Sequence, residues 1–228
     1  MARVTGWSPG IVIAGRRRRP TVSVVVTANE PAELLAAVRR LQQQDYQNFE
    51  VVATLGGTIA NGYNRAVQRA KGQIVVFTET DAVPLSRSWL RELVAHVRRG
   101  EVVKGLEVRS LPFNFSNTAC PAAIARRFPL DERYVVAEDT EWSERLRRHG
   151  TRIRYVHAAG VLHQRTPCSP KALRRAYPYG RAWARLRRKY TPAELPSLIH
   201  LARNESRYWR AVLRGISAER RSKAANTA

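Results

Sequence analysis

Cysteine is nearly absent from this chain of 228 residues: Cys120 and Cys168 are the only two, far apart and outside any CxxC or Cys/His cluster. That excludes a disulfide framework and a cysteine-based zinc site, and it fits a reducing, cytosolic compartment. Long hydrophobic runs are missing as well. No apolar stretch approaches the roughly 20 residues of a membrane span. The apolar residues 11–14 are too few for a signal-peptide core and run straight into Arg16, Arg17, Arg18 and Arg19. Internal repeats are absent, and acidic residues are scarce, with 18 Asp and Glu against 40 Lys and Arg. What remains is ordinary globular material: 44% hydrophobic content over 228 residues supplies one domain with a real core, not a fibre or a disordered chain.

A net charge of +22 implies a polyanionic neighbour: nucleic acid, an anionic membrane or phosphorylated substrates. Its distribution narrows the question. Residues 165–228 carry 16 Lys and Arg against three Asp and Glu, whereas acids gather at Glu79 and Asp81 and again at Glu138, Asp139 and Glu141. Acidic islands inside a basic shell point to a site that uses carboxylates for chemistry.

Residues 1–20 read as a basic lead-in. Residues 21–27 form a short β-branched run, the pattern of a strand buried on both faces. Ala28, Asn29 and Glu30 then turn the chain, and Pro31 suits a first helical turn. Leu34, Leu35, Val38 and Leu41 follow at helical spacing. Strands over 49–55 and 73–77 alternate with helices over 61–70 and 89–97. Such alternation with short links predicts an α/β fold with a Rossmann-like, mostly parallel sheet and flanking helices. Ligands bind beyond the carboxyl ends of such strands. Past this region, residues 111–120 read as a loop, 138–149 as a helix and 152–155 as a short strand. Two basic helices close the chain, one started or broken at Pro178 and one opened by the capping pattern of Thr191 and Glu194. The expected division is a lead-in over 1–20, a catalytic domain over 21–165 and a basic helical extension over 166–228.

Three groups of residues carry chemistry. Glu79 and Asp81 sit one residue apart just after a strand, where both can reach a hard divalent cation that shares its oxygen ligands with phosphates. Glu138, Asp139 and Glu141 start a helix; its dipole explains one acid, and three exceed what capping needs. One of them is the candidate general base. His163 follows the apolar pair Val161 and Leu162, unlike the other histidines, which have no comparable setting.

The order of these segments resembles the family 2 glycosyltransferases over residues 22–163. It runs from the first strand through Thr27, Asn29, Glu30 and the helix containing Asn61 to Glu79-Thr80-Asp81, Glu138-Asp139 and the late His163. The resemblance implies a GT-A fold and a one-step, inverting transfer of a sugar, a hexose by analogy, from a nucleotide-diphosphate donor to a hydroxyl of a glycan or lipid-linked acceptor. By the same resemblance, Glu79, Asp81 and His163 hold Mn2+ or Mg2+. Asp139 is the base, with Glu138 beside it, and Asn117 and Thr118 floor the acceptor side. Thr27, Asn29, Glu30, Asn61, Thr80 and Arg181 are the expected donor contacts. Two departures stand out: Leu55-Gly56-Gly57 replaces the acids usual after the second strand, and the first metal-motif acid is Glu79, not Asp.

Basic helices with interleaved aromatics near Tyr177, Trp183 and Tyr190 fit a peripheral position on an anionic membrane as well as simple packing on the domain. Three competing readings are weaker. A nucleotidylyltransferase would need a glycine-rich phosphate loop where the four arginines stand. A nucleic-acid-binding protein would need a reader motif, and none appears. A catalytically inactive GT-A-like scaffold would keep the fold without the turnover.

Overall fold

The computed structural model describes residues 11–15, 21–108, 114–164, 170–190 and 206–225. Cys168, the capping pattern at Thr191 and Glu194, His200 and the arginines 16–19 lie outside these. In chain order the elements are β1 (Ile11–Gly15), β2 (Val22–Ala28), α1 (Pro31–Gln42), β3 (Phe49–Leu55), α2 (Ile59–Arg69), β4 (Ile74–Glu79), β5 (Ala82–Pro84), α3 (Trp89–Ala95) and β6 (Glu101–Val108). A 3-10 turn (Phe115–Asn117), β7 (Thr118–Pro121), α4 (Ala122–Arg127), α5 (Glu138–Arg148), β8 (Arg152–His163), α6 (Pro170–Lys189) and α7 (Ser206–Ala225) complete the set.

The strands form one sheet in the order β1-β3-β2-β4-β7-β6-β8-β5. Parallel pairing of β2 with β3 and β4, and of β6 with β8, combines with antiparallel pairing of β7 to its neighbours. Consequently β2, β3, β4, β6 and β8 all run one way, as the alternating pattern predicted. Side chains alternate between the two faces of β2. Val22, Val24 and Val26 meet Leu34, Ala37, Val38 and Leu41 of α1, while Val25 meets Tyr63, Ala66 and Val67 of α2 on the opposite face. Both faces are therefore covered, which is why the run is almost continuously apolar. With α1 and α2 on opposite faces, the carboxyl ends of β2 and β4 are the place where an open α/β sheet takes ligands.

Buried Glu50 supports the turn into β4. It accepts hydrogen bonds from Ser23 Oγ (2.6 Å) and the Lys71 amide (2.6 Å), and Ser23 Oγ in turn accepts from the Gly72 amide at 2.8 Å. A Cβ at Gly72 would lie 2.6 Å from the Ser23 backbone nitrogen, so this close approach requires glycine.

Elsewhere the fold departs from the sequence-based expectations. Residues 11–15, assigned to the lead-in, are an edge strand antiparallel to β3. The expected loop over 111–120 contains the 3-10 turn and β7. The strand expected to stop at residue 155 continues as β8 to His163. Pairing with β6 up to Val156 and again from Gly160, and with β5 over Val161, Leu162 and His163, carries the strand past an irregularity, overriding local propensity. Helix α6 passes through Pro178 without stopping there. It crosses α7 at two glycines: a Cβ at Gly180 would lie 1.9 Å from Val212 O, and one at Gly215 would lie 2.2 Å from Tyr177 O.

Candidate active site

Strand β4 ends on Glu79, and in register with it on β2 is Thr27. Three residues further, β5 begins and pairs antiparallel with the end of β8, so that Ala82 faces His163. The Gln164 amide donates to the Asp81 carbonyl at 2.8 Å, closing the junction. This pairing carries a histidine more than eighty positions away in sequence to the acid-x-acid turn. His163 is buried, and its Nε2 lies 3.0 Å from a carboxylate oxygen of Glu79 and 3.0 Å from Asp81 Oδ1. The two oxygens and the imidazole nitrogen fall within 4.8 Å of one another. Two hard carboxylates and one imidazole on a half-exposed turn fit Mn2+ or Mg2+, which leave positions for water and phosphate oxygens.

The turn is braced from below. Arg40 of α1 donates through Nη2 to the Thr80 carbonyl. Burial lowers the pKa of its guanidinium, and the charge of Asp81 opposes that shift. Tyr63 of α2, wholly buried, donates its hydroxyl to the Thr78 carbonyl at 2.9 Å. Its pKa is raised first by burial and then by Glu79, Glu138, Asp81 and Asp139 together. Both acid pairs thus act on one phenol, although 57 residues separate Asp81 from Glu138 in the chain.

At α5 the residue before the acids, Ala137, takes a left-handed conformation with φ 62°. A non-glycine residue there is strained, and strain of this kind gathers at sites the surrounding structure over-determines. Glu138 is buried with one carboxyl oxygen lacking a hydrogen-bond partner. Burial, then the charge of Asp139, push its carboxyl up to about 8, so it is protonated at neutral pH. Asp139 stays half-exposed, its Oδ1 accepting from the Thr140 amide at 2.7 Å. Glu141 is the structural member of the trio: fully buried, it accepts from Tyr190 Oη (2.8 Å) and pairs with Arg145 and Lys189, pinning α6 to α5.

Other expected site residues divide. Thr27, Asn29, Glu30 and Thr80 cluster where β2 and β4 end, with Thr27 and Thr54 pressed against Gly62 of α2. Asn61, on the first turn of α2, donates to Glu132 Oε2 at 3.1 Å. Asn117 and Thr118 are fully buried. Asn117 accepts from Trp89 Nε1 (2.9 Å) and donates to the carbonyls of Leu106 (2.9 Å) and Ala159 (2.7 Å), while Thr118 Oγ1 donates to Asn114 O (2.9 Å). Their side chains are engaged with β6, β8, α3 and the turn before β7. Arg181 donates to Glu219 Oε2 of α7 at 2.9 Å, in company with Arg185 and Arg188. Burial raises the Glu219 pKa, but the three arginine hydrogen bonds outweigh it and bring the carboxyl down to about 2.

Sequence reasoning missed Arg40, Tyr63 and Lys104. Arg40 looks like a charge favouring a helix end, and Tyr63 like packing. Lys104 lies buried, paired with Glu107 and donating to Asn114 Oδ1 at 3.1 Å, while Glu79 and Asp139 both act on its charge. A lysine within an otherwise apolar β-strand was the one available signal.

No family model and no curated protein matches the sequence. Solved structures do. Mannosyltransferase PcManGT from Pyrobaculum calidifontis, in complex with GDP-Man and Mn2+, aligns with a TM-score of 0.64 at 18% identity over 88% of this chain and 75% of its own. S. aureus TarS 1-349 in complex with UDP-GlcNAc aligns with a TM-score of 0.54 at 15% identity, over 83% and 73%. The fold is that of GT-A glycosyltransferases. At these identities the likeness is one of fold.

Proposed function

We propose that this GT-A domain transfers a sugar, a hexose by resemblance, from a nucleotide-diphosphate donor to a hydroxyl acceptor with inversion, as family 2 glycosyltransferases do. The observation that carries the reading is the Glu79, Asp81 and His163 donor set, set beside an acid pair that acts on the same buried tyrosine. Glu79, Asp81 and His163 would hold Mn2+ or Mg2+, which when bound offsets negative charge on a departing diphosphate. The donors seen in the neighbouring structures, GDP-Man and UDP-GlcNAc, are the first to test here. Thr27, Asn29, Glu30, Asn61 and Thr80 sit where a nucleotide would lie.

Asp139 is the proposed base. It is half-exposed and accepts the proton of the incoming hydroxyl, while neighbouring Glu138, held neutral by burial, cannot compete for that role. A glycan or lipid-linked acceptor fits the open side of the cleft. Arg174, Arg210, Arg214 and Arg221 are exposed on α6 and α7, which supports a peripheral seat on the anionic inner face of a membrane. Among the described residues, no helix is long and apolar enough to cross one.

The test is slow donor hydrolysis together with thermal stabilisation by a panel of nucleotide sugars, with Mn2+ and with chelator. Stabilisation and hydrolysis should need the metal and vanish in Asp81→Asn. Failure of every nucleotide sugar to stabilise the protein would defeat the transferase reading, and binding without turnover would leave an inactive scaffold.

A further inference from the structure

Most of the apolar surface of α6 is occupied. Gly180 packs on α7, and Ala182, Leu186 and Tyr190 pack against Val136 and Ala137. Tyr177 on α6 and Leu213 on α7 stay exposed as single side chains, so broader apolar anchors must come from elsewhere.

They are present at the other end of the sheet. Antiparallel β5 and parallel β6 flank the end of β8, and the register aligns Val108, Leu162 and Val83 in one row. The next row on the same face aligns Leu106 with Gly160, and Leu85 donates its amide to Gly160 O at 3.0 Å. Residues two apart on a strand share a face, so six positions form one platform. It is open: Leu85 is 56% exposed, Leu106 40% and Val108 38%, while Val83 and Leu162 are half-buried. Gly160 makes the middle flat, because a Cβ there would lie 2.8 Å from Leu85 Cδ1. On the opposite face, Val161 is wholly in the core. Five clustered apolar side chains facing solvent mark an interaction surface and not a packing remainder.

Position and charge identify what covers it. Leu162 precedes His163, and Val83 follows Asp81 by two residues, so the platform adjoins the candidate metal site. A second copy of the chain is a poor occupant. Five side chains fall well short of the roughly 20–30 residues a side of a standard protein interface, and two molecules of charge +22 repel. A lipid surface needs no such area, since shallow apolar insertion adds to the attraction between arginines and anionic headgroups.

We infer that the β5-β8-β6 platform of Val83, Leu85, Leu106, Val108 and Leu162 inserts into the interface of an anionic bilayer and holds the candidate active site against it. This deepens the peripheral-membrane part of the proposed function and rests on it.

The experiment is flotation with vesicles of phosphatidylglycerol and phosphatidylcholine, or of phosphatidylcholine alone. Wild type should bind the anionic vesicles. The exposed-site variant Leu85→Ser/Leu106→Ser should bind them at least tenfold more weakly, with Mn2+-dependent stabilisation by nucleotide sugar unchanged as a check on folding. As a second readout, the added tryptophan of Leu85→Trp should be quenched by brominated phosphatidylcholine in mixed vesicles. Retained binding in the leucine pair, alongside loss in Arg210→Gln/Arg214→Gln, would overturn the platform and leave the membrane reading standing. No binding by wild type would remove both. A wild-type dimer in sedimentation velocity that the leucine pair dissolves would reassign the platform to self-association.

Discussion

Between β3-β2-β4 and β7-β6-β8-β5 the sheet changes its internal chemistry. The first group is held by valines meeting α1 and α2, with Ser23 and Glu50 as its compact polar insertion. The second buries Lys104 against Glu107 and Asn114, with Ser116 donating to Glu107, and Asn117 against Trp89. Apolar packing tolerates changes of similar volume, whereas a buried polar network is costly whenever one member goes unsatisfied. The apolar half sets the carboxyl edge on which a nucleotide would lie, and the polar half fixes where a reacting group would stand. The candidate base and the metal turn lie where the two halves meet.

The sharpest way to break this comparison is at that meeting point. Asp139→Asn keeps size and most hydrogen bonds but removes the proton acceptor, so turnover should fall by roughly 10²–10⁴-fold. Donor affinity should stay near wild type, because the strand ends of the apolar half are untouched. Steady-state kinetics paired with calorimetric titration of the donor separates the two. Normal turnover in Asp139→Asn with a dead Glu138→Gln would reverse the assignment.

How much of this was legible follows the same boundary. β2, α1, β3, α2 and β4 announce themselves through period and turn chemistry, because local preference and tertiary burial agree there. Glu79, Asp81 and the start of α5 were legible for the same reason: acids at element ends stand out. β8 beyond residue 155 was not, since its exposed residues are held by pairing with strands distant in sequence. Asn117 looked like a polar loop residue, and only the fold shows three buried partners around it. Arg181 was one arginine among many. Its choice of Glu219 depends on how α6 crosses α7 through Gly180 and Gly215, which no local signal encodes.

Asn117 tests the polar half directly. In Asn117→Ala the Trp89 N–H and the carbonyls of Leu106 and Ala159 lose their buried partner. Orphaned buried groups cost about 1–3 kcal/mol each, with partial relaxation bringing the net to about 3 kcal/mol. For a chain of this size, that is a fall of roughly 6–12 °C in Tm. Acceptor KM below the melting range should change little. A raised KM without loss of stability would instead return Asn117 to the acceptor site.

The most specific expected effect concerns Glu138. Its carboxyl titrates near about 8 in the folded protein against 4.5 for the unperturbed group. Between those values the folded chain holds a proton that the unfolded chain has released. Stability therefore falls as pH rises from the ordinary carboxylate range toward the folded pKa, and the loss levels off only above it. This is the reverse of a salt-bridged acid, which stabilises more as pH rises. Glu138→Gln keeps a neutral, similarly shaped group at every pH and should remove that decline. Groups that do not interact with Glu138 titrate equally in both proteins, so the difference between their melting curves isolates Glu138 together with the Asp139 beside it. Measured near pH 5 and near pH 8, wild type should lose stability relative to Glu138→Gln at the higher pH. A constant difference would mean that Glu138 ionises normally in the fold, and burial would then no longer separate its role from that of Asp139.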